Sequence, residues 1–454
     1  MSAQTESPAD VISRAVGGTE YSWCRAVPGG TGVTVLSLLF TKEPNVTRLQ
    51  EAIHALQNAH PILRSKLRWD PQSNIFSFVV ITLNDKENPC LEIQSYDQTH
   101  NFYLTVEQEM NTNIWQYNNN GNEVIEHDVM FASVHKLPEG KYAVVLRLHT
   151  AVCDRAAAAF LLRELLGLFG GDGKEIVKEE GLGLSIEECI PAGKASKPFW
   201  ARGADMLGYS VNSFRFSNLE FKANGSPKGT EFVRMRIGAD DTARILEGCK
   251  SKGIKLFGLL AAAGFIAAHA SKNLPSEKWE KYSLATLIDC RSLLDPVLSD
   301  HHVGFYHSAI LNSHDVKGGE DLWDLAHRIY TSVANAKNNN KHFTDMADLN
   351  FLMGKAIDNP GLTPSSSLRT SLISVFEETI TQNTDQFHKD IGLVDCIGCA
   401  SVHGVSPSLA IFDTVRDGEL DCACVYPSPT HSREQMQDFV DHMKKILTET
   451  SVPQ

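Results

Sequence analysis

The sequence predicts a mixed α/β protein in two lobes, each a mixed sheet with helices packed on it. Three observations predict it. Runs of about four to eight apolar or alternating residues, the length of a buried or half-buried strand, interleave with longer stretches whose apolar residues recur at helical period. A strand–helix–helix order returns near residue 231, echoing the start of the chain. The length, 454 residues, is that of two or three domains at roughly 100–200 residues each. The first lobe spans 1–174, a crossover linker 175–228 and the second lobe 229–454, because the middle segment carries Gly, Pro, Lys and Ser throughout and few periodic apolar runs.

In the first lobe a polar, frayed start leads to the glycines at 29, 30 and 32, a loop signal, and then to a strand over 33–40 (VTVLSLLF). Asn45 or Thr47 caps a helix to about residue 59, with Leu49, Ile53 and Leu56 on one face. His60-Pro61 ends it and turns the chain into a strand near 62–69, a structural place for His60. Short strands follow at 76–83 and 90–93, a loop at 118–122 (NNNGN), and a hairpin of 129–134 and 142–148 about Pro138-Glu139-Gly140. An Ala- and Leu-rich helix closes the lobe and stops at the glycines of 170–174.

The linker holds one short helix near 198–209. Beyond it come a strand at 231–237, helices at 239–252 and 256–272 (the second more buried), and strands at 282–289 and 304–311. An amphipathic helix at 322–338 and a short strand at 372–376 follow. Strands 409–415 and 419–425 form a hairpin over Asp417-Gly418, and the last helix runs from about 433 to 447 with Ser432 as N-cap.

Composition narrows the function. Hydrophobic residues are 42% and charged residues 21%, as in a soluble globular protein. A net charge of −13 argues against nucleic acid or an anionic membrane as partner. No apolar leader and no run of about 18 apolar residues is present, so a cytoplasmic location is expected. Ten cysteines without a secretory signal fit a reducing compartment. Cys396/Cys399 and Cys422/Cys424 are spaced like metal or redox pairs. The second pair alternates along a predicted strand and free Cys is usually a small buried hydrophobe, so no metal is expected.

The chemistry concentrates where the strand 142–148 (YAVVLRL) runs into the Ala-rich helix. The turn between them carries His149, Thr150, Cys153 and Asp154, beside the partial positive charge of a helix N-terminus. Asp154 is placed to cap that helix. His301, His302 and His307 form a second group, and no GxSxG nucleophile motif occurs.

The stretch HTAVCDR resembles the HHxxxDG signature of CoA-dependent acyltransferases of the BAHD and condensation-domain superfamily. His149 takes the first His, Thr150 the second, Asp154 the Asp and Arg155 the Gly. HPILRSKL after the first long helix, DCRSLL with GFYHS, and the terminal hairpin and helix extend the resemblance thinly over nearly the whole chain. The DFGWG-type loop of plant members has no counterpart; residues 392–403 lie where it would fall.

The resemblance implies a two-lobed chloramphenicol-acetyltransferase-like fold with a tunnel between the lobes. It implies acyl transfer to an alcohol or amine of a small molecule, with acyl-CoA as co-substrate, no bound cofactor, and a monomeric chain. The candidate catalytic residues are His149, Thr150 and Asp154. Asp154 is also expected to pair with Arg291 of the Asp289-Cys290-Arg291 element, and Arg155, His302, Tyr306 and His307 to bind substrate. The family's general base is the second His, here Thr150, and a neutral hydroxyl is a poor base. His149 either serves as a displaced base or, if the strand stays extended, faces away and supports the turn. Arg155 either holds an anionic group or points to solvent. Three functions stay open: a transferase with an altered base, the same scaffold turned to a lyase, isomerase or cyclase, and a non-catalytic binding protein.

Overall fold

Two large sheets carry the fold, as seen in a computed structural model that describes residues 12–80, 91–95, 100–117, 123–171, 176–213, 215–222, 227–275 and 277–449. The polar start of the chain, the NNNGN loop, Cys90, residues 81–83 and the glycine stop at 172–174 lie outside the described residues. The first-lobe sheet has five strands in the order Leu393–Val402, Thr31–Phe40, Lys141–His149, Met130–Leu137, Leu91–Ser95. The second-lobe sheet runs His307–Val316, Glu280–Asp289, Ile373–Phe376, Leu409–Arg416, Glu419–Ser428, Gly229–Ile237, and Ile380–Gln382 also pairs with Leu409–Arg416. A smaller four-stranded sheet packs at the side of the first lobe. The architecture is the predicted two-lobed mixed α/β fold.

The centre of the first lobe follows from apolar alternation on strands buried on both faces. Leu36, Leu38, Val144, Leu146 and Leu148 face the helices Val46–Ala59 and Arg155–Gly170. Val33, Val35, Ala143 and Val145 face the helix Phe102–Asn111 and Trp115. In the second lobe the helix Leu256–Ala270 is apolar all round and almost wholly buried, as a core helix must be. Local signals set the ends. Asn45 Oδ1 accepts from Arg48 N at 3.0 Å and Asp321 Oδ1 from Asp324 N at 2.9 Å. The hairpin turn puts Asp417 and Gly418 in the left-handed region, with φ 50° and 83°.

Two departures from the sequence reading bear on the site. The segment 392–403 is the strand Leu393–Val402, which leaves the second half of the chain to pair antiparallel with Thr31–Phe40. The first lobe is therefore not one continuous stretch. A central strand buried on both faces needs a partner on each edge; Lys141–His149 covers one edge of Thr31–Phe40 and Leu393–Val402 covers the other. It is pinned by Arg234, whose Nη2 reaches Asp395 Oδ1 at 2.8 Å while its Nε holds Asp421 Oδ1 at 2.7 Å. The second departure is three helices that periodicity did not reveal: Gly18–Ala26, Phe102–Asn111 and Met346–Asp358. They are short, and Phe102–Asn111 is aromatic and β-branched in its first turns; packing rather than propensity makes it helical.

The linker helix is Phe199–Ser213, tied down where Lys197 Nζ meets Asp345 Oδ1 at 2.7 Å and Asp348 Oδ2 at 2.9 Å. Among the described residues no single helix is long and apolar enough to cross a membrane. The nine described cysteines are free, and no three His, Cys, Asp or Glu among the described residues converge as metal ligands.

The core helix of the second lobe crosses the helix Leu322–Asn338 at Gly258, where an added Cβ would stand 3.1 Å from Ala326 O and 3.4 Å from Tyr330 Cβ. Backbone cannot step aside cheaply. Gly258→Val should cost about 1–3 kcal/mol by overpacking, read as a lower urea midpoint with an unchanged m-value.

Candidate active site

The strand Lys141–His149 stays extended to its last residue: His149 pairs with Val33 and has φ −73° and ψ 125°. Neighbours on an extended strand point to opposite faces. His149 therefore turns to the Trp115 side, its ring edge-on to the indole at 5.3 Å, while Thr150 faces the lobe interface. His149 is fully buried; its Nδ1 accepts from Ala151 N at 3.2 Å and its Nε2 has no partner among the described residues. Burial, with a smaller contribution from His127, lowers its pKa to about 3 and keeps it neutral. The expectation of His149 as a displaced base is corrected: the imidazole supports the turn and does not reach the cavity.

Thr150 Oγ1 lies 2.7 Å from Thr34 Oγ1, and both line the cavity. Gly32 makes room for Thr150. Its φ is 97°, and a Cβ there would stand 3.2 Å from Thr150 Cβ.

Asp154 caps the helix Arg155–Gly170, its Oδ1 accepting from Ala157 N at 2.9 Å. It also crosses to the second lobe. Arg291 Nη1 donates to Oδ2 at 2.9 Å and Nη2 to Oδ1 at 3.1 Å, Tyr306 N donates to Oδ2 at 2.7 Å, and His307 Nδ1 stands 3.0 Å from Oδ2. Burial pushes the carboxyl's pKa up, but Arg291 and then His307 outweigh it and hold it well below the usual carboxylate range.

Arg155 points neither to solvent nor to an open anion site. Its Nη1 donates to Asp413 Oδ1 at 3.0 Å, its Nη2 to the Asp413 carbonyl, and the guanidinium lies 4.3 Å from the centre of the Phe376 ring. It ties the first helix turn of one lobe to the sheet of the other. Two expected substrate contacts fall elsewhere. His302 accepts from Ser299 N at 3.1 Å, stacks on His301, and gives its carbonyl to Arg291; it is off the cavity wall. Tyr306 is buried, donates its hydroxyl to Leu184 O at 3.1 Å and packs under Arg291, also away from the cavity. Each is claimed by the ion pair's surroundings instead. His307 does line the cavity.

The cavity between the lobes measures about 170 Å³. Leu36, Leu162, Leu287, Phe376, Ile380 and Phe412 make much of its wall, and Thr34, Thr150, Ser374 and Ser401 add hydroxyls. Trp23 lines it without having been noted in sequence, and Phe305 and the strand Leu393–Val402, both within stretches noted there, line it without having been expected to. Asp413, the partner of Arg155, was also missed; a lone carboxylate within the apolar run LAIFDTV was the available signal.

No protein-family profile matches the chain, and no curated protein matches it in sequence. Solved structures do match in shape. Polyketide synthase associated protein 5 from Mycobacterium tuberculosis superposes with TM-score 0.67 at 16% identity, over 96% of this chain and 97% of that one. TRI3 trichothecene 15-O-acetyltransferase from Fusarium sporotrichioides gives 0.71 at 12% identity, over 98% and 96%. The epimerization domain from the third module of tyrocidine synthetase B gives 0.60 at 13% identity, over 98% of each chain. The chain has the acyltransferase and condensation-domain fold. At such identity the likeness concerns the scaffold, and the chemistry rests on the residues at the lobe interface.

Two outcomes follow from this geometry. Arg155→Ala leaves the Asp413 carboxylate buried and unpaired and should cost about 3–5 kcal/mol; removing Asp413 as well, by Asp413→Ala, should recover most of the loss in urea denaturation. Below the ordinary His value of about 6.5, unfolded chains take up a proton that folded His149 refuses until about pH 3. Stability should therefore fall with falling pH in that window, by about 1.4 kcal/mol per pH unit from this residue, and His149→Asn should remove that part of the slope. Asp154 acts lower: its contribution persists above the ordinary carboxyl value of about 3.9 and fades as pH drops below it.

Proposed function

We propose that the protein transfers an acyl group from a thioester, acyl-CoA by resemblance, to a hydroxyl or amine of a small, largely apolar acceptor held between the lobes. The observation that carries this reading is the convergence of Thr150 and Arg155 from one lobe with His307 from the other on a single, mostly apolar cavity. Apolar walls favour an apolar acceptor and strengthen each electrostatic contact made inside. Acyl transfer needs a donor to the oxyanion that forms when the acceptor attacks the thioester carbon. The Thr150 hydroxyl, whose one hydrogen-bond partner among the described residues is Thr34, is such a neutral donor.

A second reading, a non-catalytic ligand-binding protein, is favoured by Arg155: its ion pair with Asp413 spans the lobes beside the turn, at the position where the resembled signature carries a small Gly.

Thiol release separates the two. Incubation with acyl-CoAs of increasing chain length and a panel of small alcohols and amines should liberate free CoA, and Thr150→Ala should lower kcat/KM by about 10²-fold, the effect of losing one oxyanion donor. No thiol release with any pair, alongside calorimetric binding of the same acceptors, would establish the binding protein instead.

A further inference from the structure

We propose that His307, aimed by Asp154, is the general base of this cavity and receives the acceptor's proton. The inference rests on the acyl-transfer reading and adds the proton acceptor that Thr150 and His149 do not provide.

The cavity wall itself narrows the choice. Its thiols, Cys153, Cys396 and Cys399, are pushed up by burial and stay protonated. Asp421 is held by Arg234, and Asp154, paired with Arg291, is held well below the usual carboxylate range and is too weak a base to take the proton. Among the described residues, His307 is the one imidazole on that wall.

The geometry suits the role. His307 opens the strand His307–Val316, paired in register with Asp289 of the neighbouring strand, so the ring sits on a rigid element. Its Nδ1 lies 3.0 Å from Asp154 Oδ2 without the alignment of a hydrogen bond, and catalytic contacts are often poorly aligned until substrate is present. A carboxylate beside Nδ1 favours the tautomer protonated there and leaves the Nε2 lone pair free to accept. Phe376, edge-on with its centroid at 6.0 Å, and Phe305 at 6.2 Å confine the ring. Asp154 acts through His307 and is a positioning residue.

The step balances. Nε2 takes the proton of the acceptor O–H or N–H as its oxygen or nitrogen bonds to the thioester carbonyl carbon. The tetrahedral intermediate then collapses, the C–S bond breaks, and the departing thiolate takes the proton back from Nε2. An ester or amide and a free thiol result, and His307 returns to its starting state.

The test pairs kinetics with spectroscopy on the full chain. His307→Gln should lower kcat by about 10²–10⁴-fold, leave the KM for acyl-CoA within about threefold as expected of a residue that acts only in the transition state, and regain turnover with added imidazole. Wild-type thiol release that persists undiminished in His307→Gln overturns the base while sparing the acyl-transfer reading. Absence of thiol release from the wild type with every donor and acceptor overturns both. Long-range ¹H–¹⁵N correlation on histidine-labelled wild type, assigned by difference from His307→Gln, should show the Nδ1–H tautomer; an Nε2–H tautomer overturns the proposal even if the variant folds poorly.

Discussion

The buried pair of Asp154 and Arg291 is the constraint on which the site depends. One carboxylate caps a first-lobe helix, accepts a bidentate guanidinium from the second lobe, and takes the backbone N–H of Tyr306. Arg291 is itself held by Asp289 and by the His302 carbonyl. Desolvating two charges is costly, so such a pair contributes little net stability against an apolar substitute. What it supplies is geometry: removing either partner strands a buried charge, so the lobes have one relative placement that satisfies both.

Arg155 adds a second bridge one residue further on. Where its pair with Asp413 spans the lobes, the guanidinium also covers the Phe376 ring, combining a charge pair with a cation–π contact. With Arg234 gripping Asp395 and Asp421, the seam between the lobes is stitched by arginines whose carboxylate partners come from another strand or the opposite lobe. Arginine suits this work because its planar fork engages a carboxylate through two nitrogens at once.

Strand geometry decides which way His149 and Thr150 face. Two-residue alternation sends His149 into a dry pocket against Trp115, where it is neutral, and sends Thr150 toward the cavity. The imidazole on the cavity wall comes instead from the first residue of a strand in the other lobe, beside the same aspartate.

Local order was legible in the sequence wherever it had a local cause. The strand–turn–helix about Asp154, the Asp417-Gly418 hairpin, the amphipathic helix Leu322–Asn338 and the buried helix Leu256–Ala270 arise from periodicity, caps and turn residues that lie within a few positions of one another. Those signals also carried the two-lobed mixed α/β class. The tertiary structure alone decided the rest: that Leu393–Val402 crosses into the first-lobe sheet, that Arg155 meets Asp413, that His302 and Tyr306 serve the ion pair, and that His307 faces the cavity. Each of these is a pairing between residues far apart in the chain, set by which buried edges and charges find partners when the lobes close, and one-dimensional spacing carries no record of that choice.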